Sequence, residues 1–166
     1  MSAAAPPHFA TADLYDEFGD ELEVPDPLFR HFGGQRRFCG PIRTVSTLED
    51  NTQVRATLET PGDGHVLVVD GVGSLRVALV GDQLGQLAID NHWAGLLVHG
   101  CVRDSAVLAQ MPIGVLALAT NPAKSRKQNQ GQVDVPLRFA GASFVPGHWL
   151  YADDDGVVLC DRRLVD

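Results

Sequence analysis

Residues 77–108 read VALVGDQLGQLAIDNHWAGLLVHGCVRDSAVL, and this stretch decides the fold. It contains two apolar runs, which we place at residues 76–80 and 94–100. Such runs are typical of buried β-strands. Between them, residues 82–92 show the spacing of an amphipathic helix, with one apolar face made of Leu84, Leu87 and Ala88. A strand, a helix and a second strand in this order predict a βαβ unit with parallel strands.

The same pattern extends to both sides of this stretch. Further strands are predicted over 38–47, 65–71 and 113–120, and further helices over 11–18, 52–58 and 105–110. After Gln128, β-rich runs separated by Pro-Gly and Asp-Asp-Gly turns predict hairpin strands. We therefore expect one α/β domain over residues 1–166, with a mixed, largely parallel sheet and a C-terminal antiparallel layer in a β/β/α arrangement. We expect residues 1–10 to be flexible.

Composition and charge exclude several classes of partner. The 166 residues carry a formal net charge of −8 and have a sequence pI near 5.1, so the overall field repels phosphate backbones and acidic membrane surfaces. No run of 18 apolar residues occurs, and "MSAAAPPHF" lacks the basic start of a signal peptide. We expect a cytoplasmic protein with no nucleic-acid or membrane partner and with three free thiols at Cys39, Cys101 and Cys160.

The motifs of several common chemistries are missing. The sequence has no His-Glu-x-x-His pair, no nucleophile elbow, no Walker lysine and no glycine-rich loop suited to S-adenosylmethionine. The glycines of "DGVGS" (residues 70–74) are best explained by a tight turn. The basic clusters Arg36-Arg37 and Lys124–Lys127 are interpreted as solvated loops, with a local protein or RNA contact kept open.

Two strand-to-helix turns carry the residues that point to a binding site. Ligands of open α/β sheets gather where strands end and helices begin, because the unpaired amides of helix N-termini point outward there. The amides of Gln83 and Leu84 and the guanidinium of Arg103 favour an anion, and Asp104 is free to hold a divalent cation. A structural salt bridge with Asp82 as a helix N-cap explains the same residues equally well.

Three motifs in order resemble one known family. "VVDGVGSLRVALVGDQLGQLA", "GLLVHGCVRDSAVL" and "PGHWLYADDDGVVL" are similar to the RraA family, the regulators of ribonuclease E activity, whose fold is shared by class II 4-hydroxy-4-methyl-2-oxoglutarate aldolases. The resemblance runs from about Thr11 to the C-terminus. It implies a swivelling β/β/α domain that assembles into a ring-shaped homotrimer, with a pocket at the subunit boundary.

The resemblance also implies roles for individual residues. In the aldolases, a loop like Gly81–Leu84 (Gly81, Asp82, Gln83 and Leu84) binds the carboxylate of pyruvate, and an arginine like Arg103 meets its keto oxygen. An aspartate like Asp104 ligates Mg²⁺ or Mn²⁺, and Asp82 is placed to position a water that moves a proton. A small 2-oxo acid is then the substrate. Oxaloacetate decarboxylation is expected too, because it passes through the same enolate.

One residue departs from the aldolase pattern. The aldolase motif continues from Arg-Asp with two residues and then an acid, whereas Val107 stands at that position here. Loss of such a supporting acid commonly costs 10- to 100-fold, so activity is expected to be weak. The alternative is a non-catalytic regulator that binds and inhibits a ribonuclease E-type enzyme or its partners.

A few further residues are interpreted as structural. His92, Trp93 and His99 are expected to be packing residues, and Trp149 and Tyr151 are expected to share one side of a late strand. Asp153–Gly156 fits a tight hairpin turn better than a calcium loop.

Overall fold

The computed structural model describes residues 8–166. The predicted flexible segment lies outside this range for residues 1–7, while Phe9 is buried and packs edge-on against Tyr151. The helices are α1 (Thr11–Phe18), α2 (Thr52–Leu58), α3 (Asp82–Asp90) and α4 (Ser105–Leu108), with a short 3-10 helix at Gly19–Glu21. The strands are β1 (Arg30–His31), β2 (Phe38–Ser46), β3 (Val66–Asp70), β4 (Ala78–Val80), β5 (Gly95–Val102), β6 (Gly114–Thr120), β7 (Gln132–Val133), β8 (Leu137–Phe139), β9 (Ala142–Phe144), β10 (Trp149–Asp153) and β11 (Gly156–Cys160).

One curled sheet forms the centre of the domain. Its strands follow the order β1-β6-β5-β3-β2-β10-β11, with β4 paired to β5 and β7 paired to β2. The pairs β2–β3, β3–β5, β4–β5 and β5–β6 are parallel, and the pairs at the ends of the sheet are antiparallel. The predicted mixed, largely parallel sheet is confirmed. The hairpin β10–β11 is hydrogen-bonded to β2, so it continues this sheet, and β8–β9 forms a separate two-stranded sheet.

The sheet separates two cores. On one face, α2, α3 and α4 bury residues such as Leu58, Leu84 and Leu108. On the other face, the two late hairpins pack their apolar side chains over the parallel strands. Phe38 fills this second core so closely that a Cβ on Gly95 or Gly114 would lie 2.4 or 2.1 Å from its ring. The layers therefore follow the β/β/α order expected from the sequence.

The two edges of the curled sheet approach each other along a seam. Glu23 exchanges backbone hydrogen bonds with Leu159 of β11, and Arg30 pairs with Ala117 of β6, so residues 23–30 cross from one edge to the other. His31 Nε2 lies 2.7 Å from the carbonyl oxygen of Asp153 and ties the seam at a third point. An open groove remains beside these ties. We call it the seam groove, and its lining includes Phe29, His31, Leu116 and Val157.

The structure corrects some local predictions. Helix α3 ends at Asp90 and α4 at Leu108, each two residues before the predicted end, and β4 starts only at Ala78. His92 is exposed and adopts a positive φ of 61°, so the prediction that it packs in the core was wrong. Trp93 is buried as expected, and His99 is half-buried and stacks on Phe139. Within residues 8–166, no helix is both long and apolar enough to cross a membrane.

Candidate functional site

The register of the sheet brings three chain reversals together. Val80 at the end of β4 pairs with Val102 at the end of β5, and Val102 pairs with Thr120 at the end of β6. The residues that follow these strand ends, at 81–84, 103–104 and 121–127, therefore meet at one edge of the sheet. Residues 81–84, Arg103, Asp104, Lys124, Ser125 and Lys127 from these segments line a small cleft of about 90 Å³. The sequence predicted that the first two turns share a pocket, and the structure brings them together.

Gly81, Asp82 and Asp104 form the floor of this cleft. The backbone N–H of Asp82 donates a hydrogen bond of 3.1 Å to Oδ2 of Asp104. A Cβ on residue 81 would lie 2.6 Å from that same oxygen, so only glycine permits the contact without a shift. Asp104 itself has φ 58° and ψ 38°, a left-handed conformation that aspartate tolerates better than most residues. Such strained backbone is typical of functional sites.

Arg103 is anchored by its backbone and stands beside this floor. Its N–H donates to the carbonyl of Val80 at 2.9 Å, and Nη1 makes a longer contact of 3.4 Å with the carbonyl of Pro122. Among the described residues, no ion pair joins Arg103 to a carboxylate. The remaining guanidinium donors are thus available to a bound anion.

Helix α3 points its first amides into the cleft. Gly81 is the N-cap residue and Asp82 begins the helix, so the alternative with Asp82 as the N-cap of a structural salt bridge does not hold. Among residues 8–166, no acceptor is seen for the backbone N–H groups of Gln83 and Leu84. Two free amides at the positive end of a helix dipole favour an anionic ligand.

A third wall of the cleft was missed by the sequence reasoning. It consists of Asn51 and Arg55 near the start of α2 and of Lys124, Ser125 and Lys127 after β6. The Nζ of Lys127 donates to Oδ1 of Asn51 at 3.1 Å, and the Oγ of Ser125 is buried without a partner. The basic residues of the cluster Lys124–Lys127 are exposed, as a solvated loop predicts, but Lys124, Ser125 and Lys127 also line the site. The available signal was the position of the cluster, directly after a third parallel strand.

Two buried carboxylates hold this third wall in place. Glu49 accepts hydrogen bonds from Arg76, Ser74 and Arg126, and the bond from Arg76 contributes most to lowering the pKa of its carboxyl. Burial acts to raise the pKa of Asp50, but hydrogen bonds from its neighbours outweigh burial and leave that pKa lowered. One of these bonds comes from the N–H of Gln128, at 2.6 Å, and fixes the end of the wall.

The donor set of the cleft fits a hydrated divalent cation. The described residues contain no cluster of three His, Cys, Asp or Glu side chains that could hold a metal by themselves. Mg²⁺, however, is usually bound by one or two carboxylates together with waters and substrate oxygens. Among the described residues, Asp104 accepts a hydrogen bond only at Oδ2, so Oδ1 is left for such an ion, and the Asp82 carboxylate makes no hydrogen bond with them.

Fold and site together define a class of α/β protein with a cleft of helix amides and polar and basic side chains at the strand ends of a curled sheet. Residues 11–159 match the model of the RraA-like family, described as Aldolase/RraA. The chain belongs to this family, as the sequence motifs predicted.

Curated relatives cover nearly the whole chain. A protein of Xanthomonas campestris pv. campestris (strain 8004) is 59% identical over 94% of this chain and 93% of its own. One of Laribacter hongkongensis is 56% identical over 90% and 94%. Both carry the name "Putative 4-hydroxy-4-methyl-2-oxoglutarate aldolase".

Solved structures agree on the fold and differ in the function they are given. A structure from Geobacillus kaustophilus, described as an S-adenosylmethionine: 2-dimethylmenaquinone methyltransferase, is 52% identical with a TM-score of 0.92, covering 94% of this chain and 97% of that one. The RNA-processing inhibitor RraA from Thermus thermophilis is 47% identical with a TM-score of 0.92, covering 95% and 96%. Relatives with this fold are described by three different functions, so the fold alone does not establish the function of this chain. The residues of the cleft have to be considered as well.

Proposed function

We propose that this protein is a lyase that depends on Mg²⁺ or Mn²⁺ and acts through a pyruvate enolate. Its substrate would be 4-hydroxy-4-methyl-2-oxoglutarate, which an aldol cleavage splits into two molecules of pyruvate, and oxaloacetate would be decarboxylated as a secondary reaction. The observation that carries this proposal is the meeting of Arg103, Asp104 and the amides of α3 in one cleft. The names of the relatives at 50–59% identity point the same way.

The chain's own residues would bind and orient the substrate. The free amides of Gln83 and Leu84 would receive its C1 carboxylate, because the helix N-terminus favours negative charge. The Arg103 guanidinium would donate to the keto oxygen at C2, where negative charge develops as the bond breaks. Asp104 would hold the divalent cation, which supplies further positive charge beside that oxygen.

Asp82 would assist the transfer of the C4 hydroxyl proton. Its carboxylate would orient a water that accepts the proton of the C4 hydroxyl, and the C3–C4 bond then breaks with its electron pair moving into the enolate of pyruvate. The same water would return a proton to C3, which completes the second pyruvate. With oxaloacetate, CO₂ leaves instead and the enolate is protonated in the same way.

The regulator function is the second candidate. It is supported by the RNA-processing inhibitor of Thermus thermophilis, which is similar over nearly the whole chain, and by Val107 at the position of the motif acid. Val107 is half exposed on α4 and is not among the residues that line the cleft. In this case a ribonuclease E-type enzyme would be the partner.

The first experiment is an oxaloacetate assay. Metal-stripped protein would be mixed with oxaloacetate, Mg²⁺ or Mn²⁺ would be added, and pyruvate would be followed with lactate dehydrogenase after subtracting the rate due to metal alone. We expect metal-dependent release that is lost in Asp104→Asn. The matched control is Asp20→Asn, which changes the charge equally at an exposed site outside the cleft and should release pyruvate at the wild-type rate.

Two results would contradict the proposal. Unchanged release by Asp104→Asn would overturn the metal assignment, and no release above background by the wild type would favour the regulator. In that second case, inhibition of a purified ribonuclease E would be measured next.

Homotrimeric assembly and a cytoplasmic location stay predictions, and sedimentation equilibrium tests the first of them.

A further inference from the structure

The seam groove is a second, larger concavity that the proposed reaction does not use. Its volume is about 600 Å³, and it shares no lining residue with the cleft. Sites for small molecules in proteins usually measure about 300–1,000 Å³ and are mostly apolar. The size of the seam groove is therefore that of a site for a small organic molecule.

Apolar side chains form most of the walls of the seam groove. Phe29 and Leu116 lie on the sheet side, with Val157 of β11 next to them. Tyr15 and Val24 also line it and are unusually exposed for their type, at 53% and 52%. A ligand with an apolar body would cover these side chains and remove their surface from water.

The charged groups of the seam groove are all of one sign. Four carboxylates and no lysine or arginine line it: Asp16, Asp26, Asp154 and Asp155. Asp154 is paired with Arg36. Within residues 8–166, the other three carboxylates form no ion pair. A cation bound here would be attracted by three carboxylates with which no arginine or lysine among the described residues forms an ion pair.

His31 adds a buried acceptor to the same wall. Its Nε2 faces the carbonyl oxygen of Asp153 at 2.7 Å, and since a carbonyl only accepts, Nε2 is the donor. In the neutral ring, Nδ1 then carries a lone pair, and this atom is buried without a partner among the described residues. A buried acceptor without a partner destabilises the structure, and a donor from a ligand or a water offsets that cost.

We propose that the seam groove binds a small organic cation, an ammonium or guanidinium group carried on an apolar body. The apolar walls receive the body, and the unpaired carboxylates of Asp16, Asp26 and Asp155 receive the charged donors. This inference does not depend on the proposed lyase activity, because none of these residues lines the cleft. Cation and 2-oxo acid would occupy separate sites with opposite charge preference.

The test uses phenethylamine as the probe. Its binding to the ¹⁵N-labelled full-length chain would be followed by amide chemical shifts, with 2-phenylethanol and 3-phenylpropanoate as neutral and anionic compounds of similar body. We expect saturable shifts at Leu116 and Val157, with a dissociation constant of about 1 mM, and no shift at Gln83. The alcohol should bind at least about threefold more weakly, and the acid should not bind.

Two matched variants locate the charge. Asp26→Asn removes a carboxylate that makes no side-chain hydrogen bond among the described residues, so the fold should be unaffected, and it should weaken phenethylamine binding about threefold. Asp20→Asn makes the same change in net charge outside the seam groove and should bind like the wild type. Equal affinity for Asp26→Asn and Asp20→Asn would overturn the proposal.

A further probe, a short peptide, distinguishes binding of a small organic cation from binding of a cationic side chain of another protein. The acetylated and amidated tripeptide Lys-Phe-Lys carries the same chemistry on a polypeptide backbone. We expect it to bind no more tightly than phenethylamine. Binding more than tenfold tighter would overturn the assignment to a small molecule in favour of a polypeptide partner, and absence of shifts at Leu116 and Val157 with every probe would overturn the site itself.

Discussion

The cleft and the seam groove are built in opposite ways. The cleft has a volume of about 90 Å³ and is lined by backbone amides and by polar and basic side chains that follow three strand ends. The seam groove has about 600 Å³ and lies where the two edges of the curled sheet approach without pairing. Strand ends that lie in register bring the polar residues that follow them close together. Sheet edges that do not pair with each other leave a wide, mostly apolar surface between them.

The two regions also differ in backbone strain. Around the cleft, both Asp104 and Glu49 adopt positive φ, at 58° and 57°. Each costs about 1–3 kcal/mol and persists only because surrounding contacts hold it. The residues named in the lining of the seam groove have no positive φ except Gly156, which tolerates it. Positive φ also occurs elsewhere, for example at Val72 and His92, but of these two regions only the cleft combines it with the candidate site, so changes there should affect activity first.

The largest effect is expected from Arg103→Ala. If the cleft stabilises an enolate, loss of this donor should lower kcat for oxaloacetate about 10²- to 10³-fold, while the Tm stays close to that of the wild type. Arg138→Ala removes an exposed arginine outside the cleft and serves as the control in the coupled pyruvate assay. Unaltered turnover in Arg103→Ala would mean that the cleft is not the site of the reaction, and the proposed difference in role between the cleft and the seam groove would no longer hold.

A smaller loss is expected from Gly81→Ala. The φ of −136° suits alanine, but its Cβ would meet Oδ2 of Asp104 at 2.6 Å and displace that carboxylate. Misplacing one catalytic group by about 1 Å costs up to about 100-fold. Steady-state kinetics should show the loss in kcat, with Gly19→Ala as a control because its Cβ meets only the Tyr15 ring at 3.7 Å. Wild-type kcat would mean that the close contact is dispensable.

Val107→Glu should instead raise activity. The N–H of Val107 donates to the carbonyl of Asp104 at 3.0 Å, so a carboxylate here would stand one helical turn from the cleft floor. Restoring a supporting acid should raise kcat/KM about tenfold. Val107→Gln has the same size without the charge, and a gain of equal size in both variants would argue against the role of an acid.

The smallest effect concerns acid pH. Ion pairs with Arg76 and Arg126 hold the pKa of Glu49 below its usual range, so its contribution to folding is present at neutral pH and is lost as the pH falls through the lowered pKa. Thermal melts should give Glu49→Gln a lower Tm than the wild type at pH 7, with the gap closing below about pH 4. A gap that persists at acid pH would assign the effect to packing.

Much of the fold was predictable because its elements repeat one simple pattern. Apolar runs such as 65–71 alternate with short amphipathic helices, and the boundaries of α1 and α2 agree with those predicted. The ends of α3 and α4 were not predictable to the residue, since caps and tertiary contacts decide where a helix stops. The prediction for His92 was wrong because it placed this residue at the end of a helix, whereas His92 lies in the turn that follows α3 and has a positive φ.

The site was predictable only where its residues lie next to a predicted strand-to-helix turn. Gly81–Leu84 and Arg103-Asp104 fulfil that condition. Lys124, Ser125 and Lys127 do not, because no helix follows β6 and a short basic run is usually solvated. Their place in the cleft depends on the pairing of Val102 with Thr120 and on the hold of Glu49 and Asp50.

The sequence by itself determined the order of strands and helices, the family and the two turns of the cleft, because local patterns encode these features. The tertiary structure alone decided which strand ends stand in register, which loop closes the cleft and where the curled sheet leaves its seam groove. Register and curvature arise from contacts between residues far apart in the chain, such as Glu23 with Leu159 and Arg30 with Ala117. Local sequence patterns do not predict such contacts.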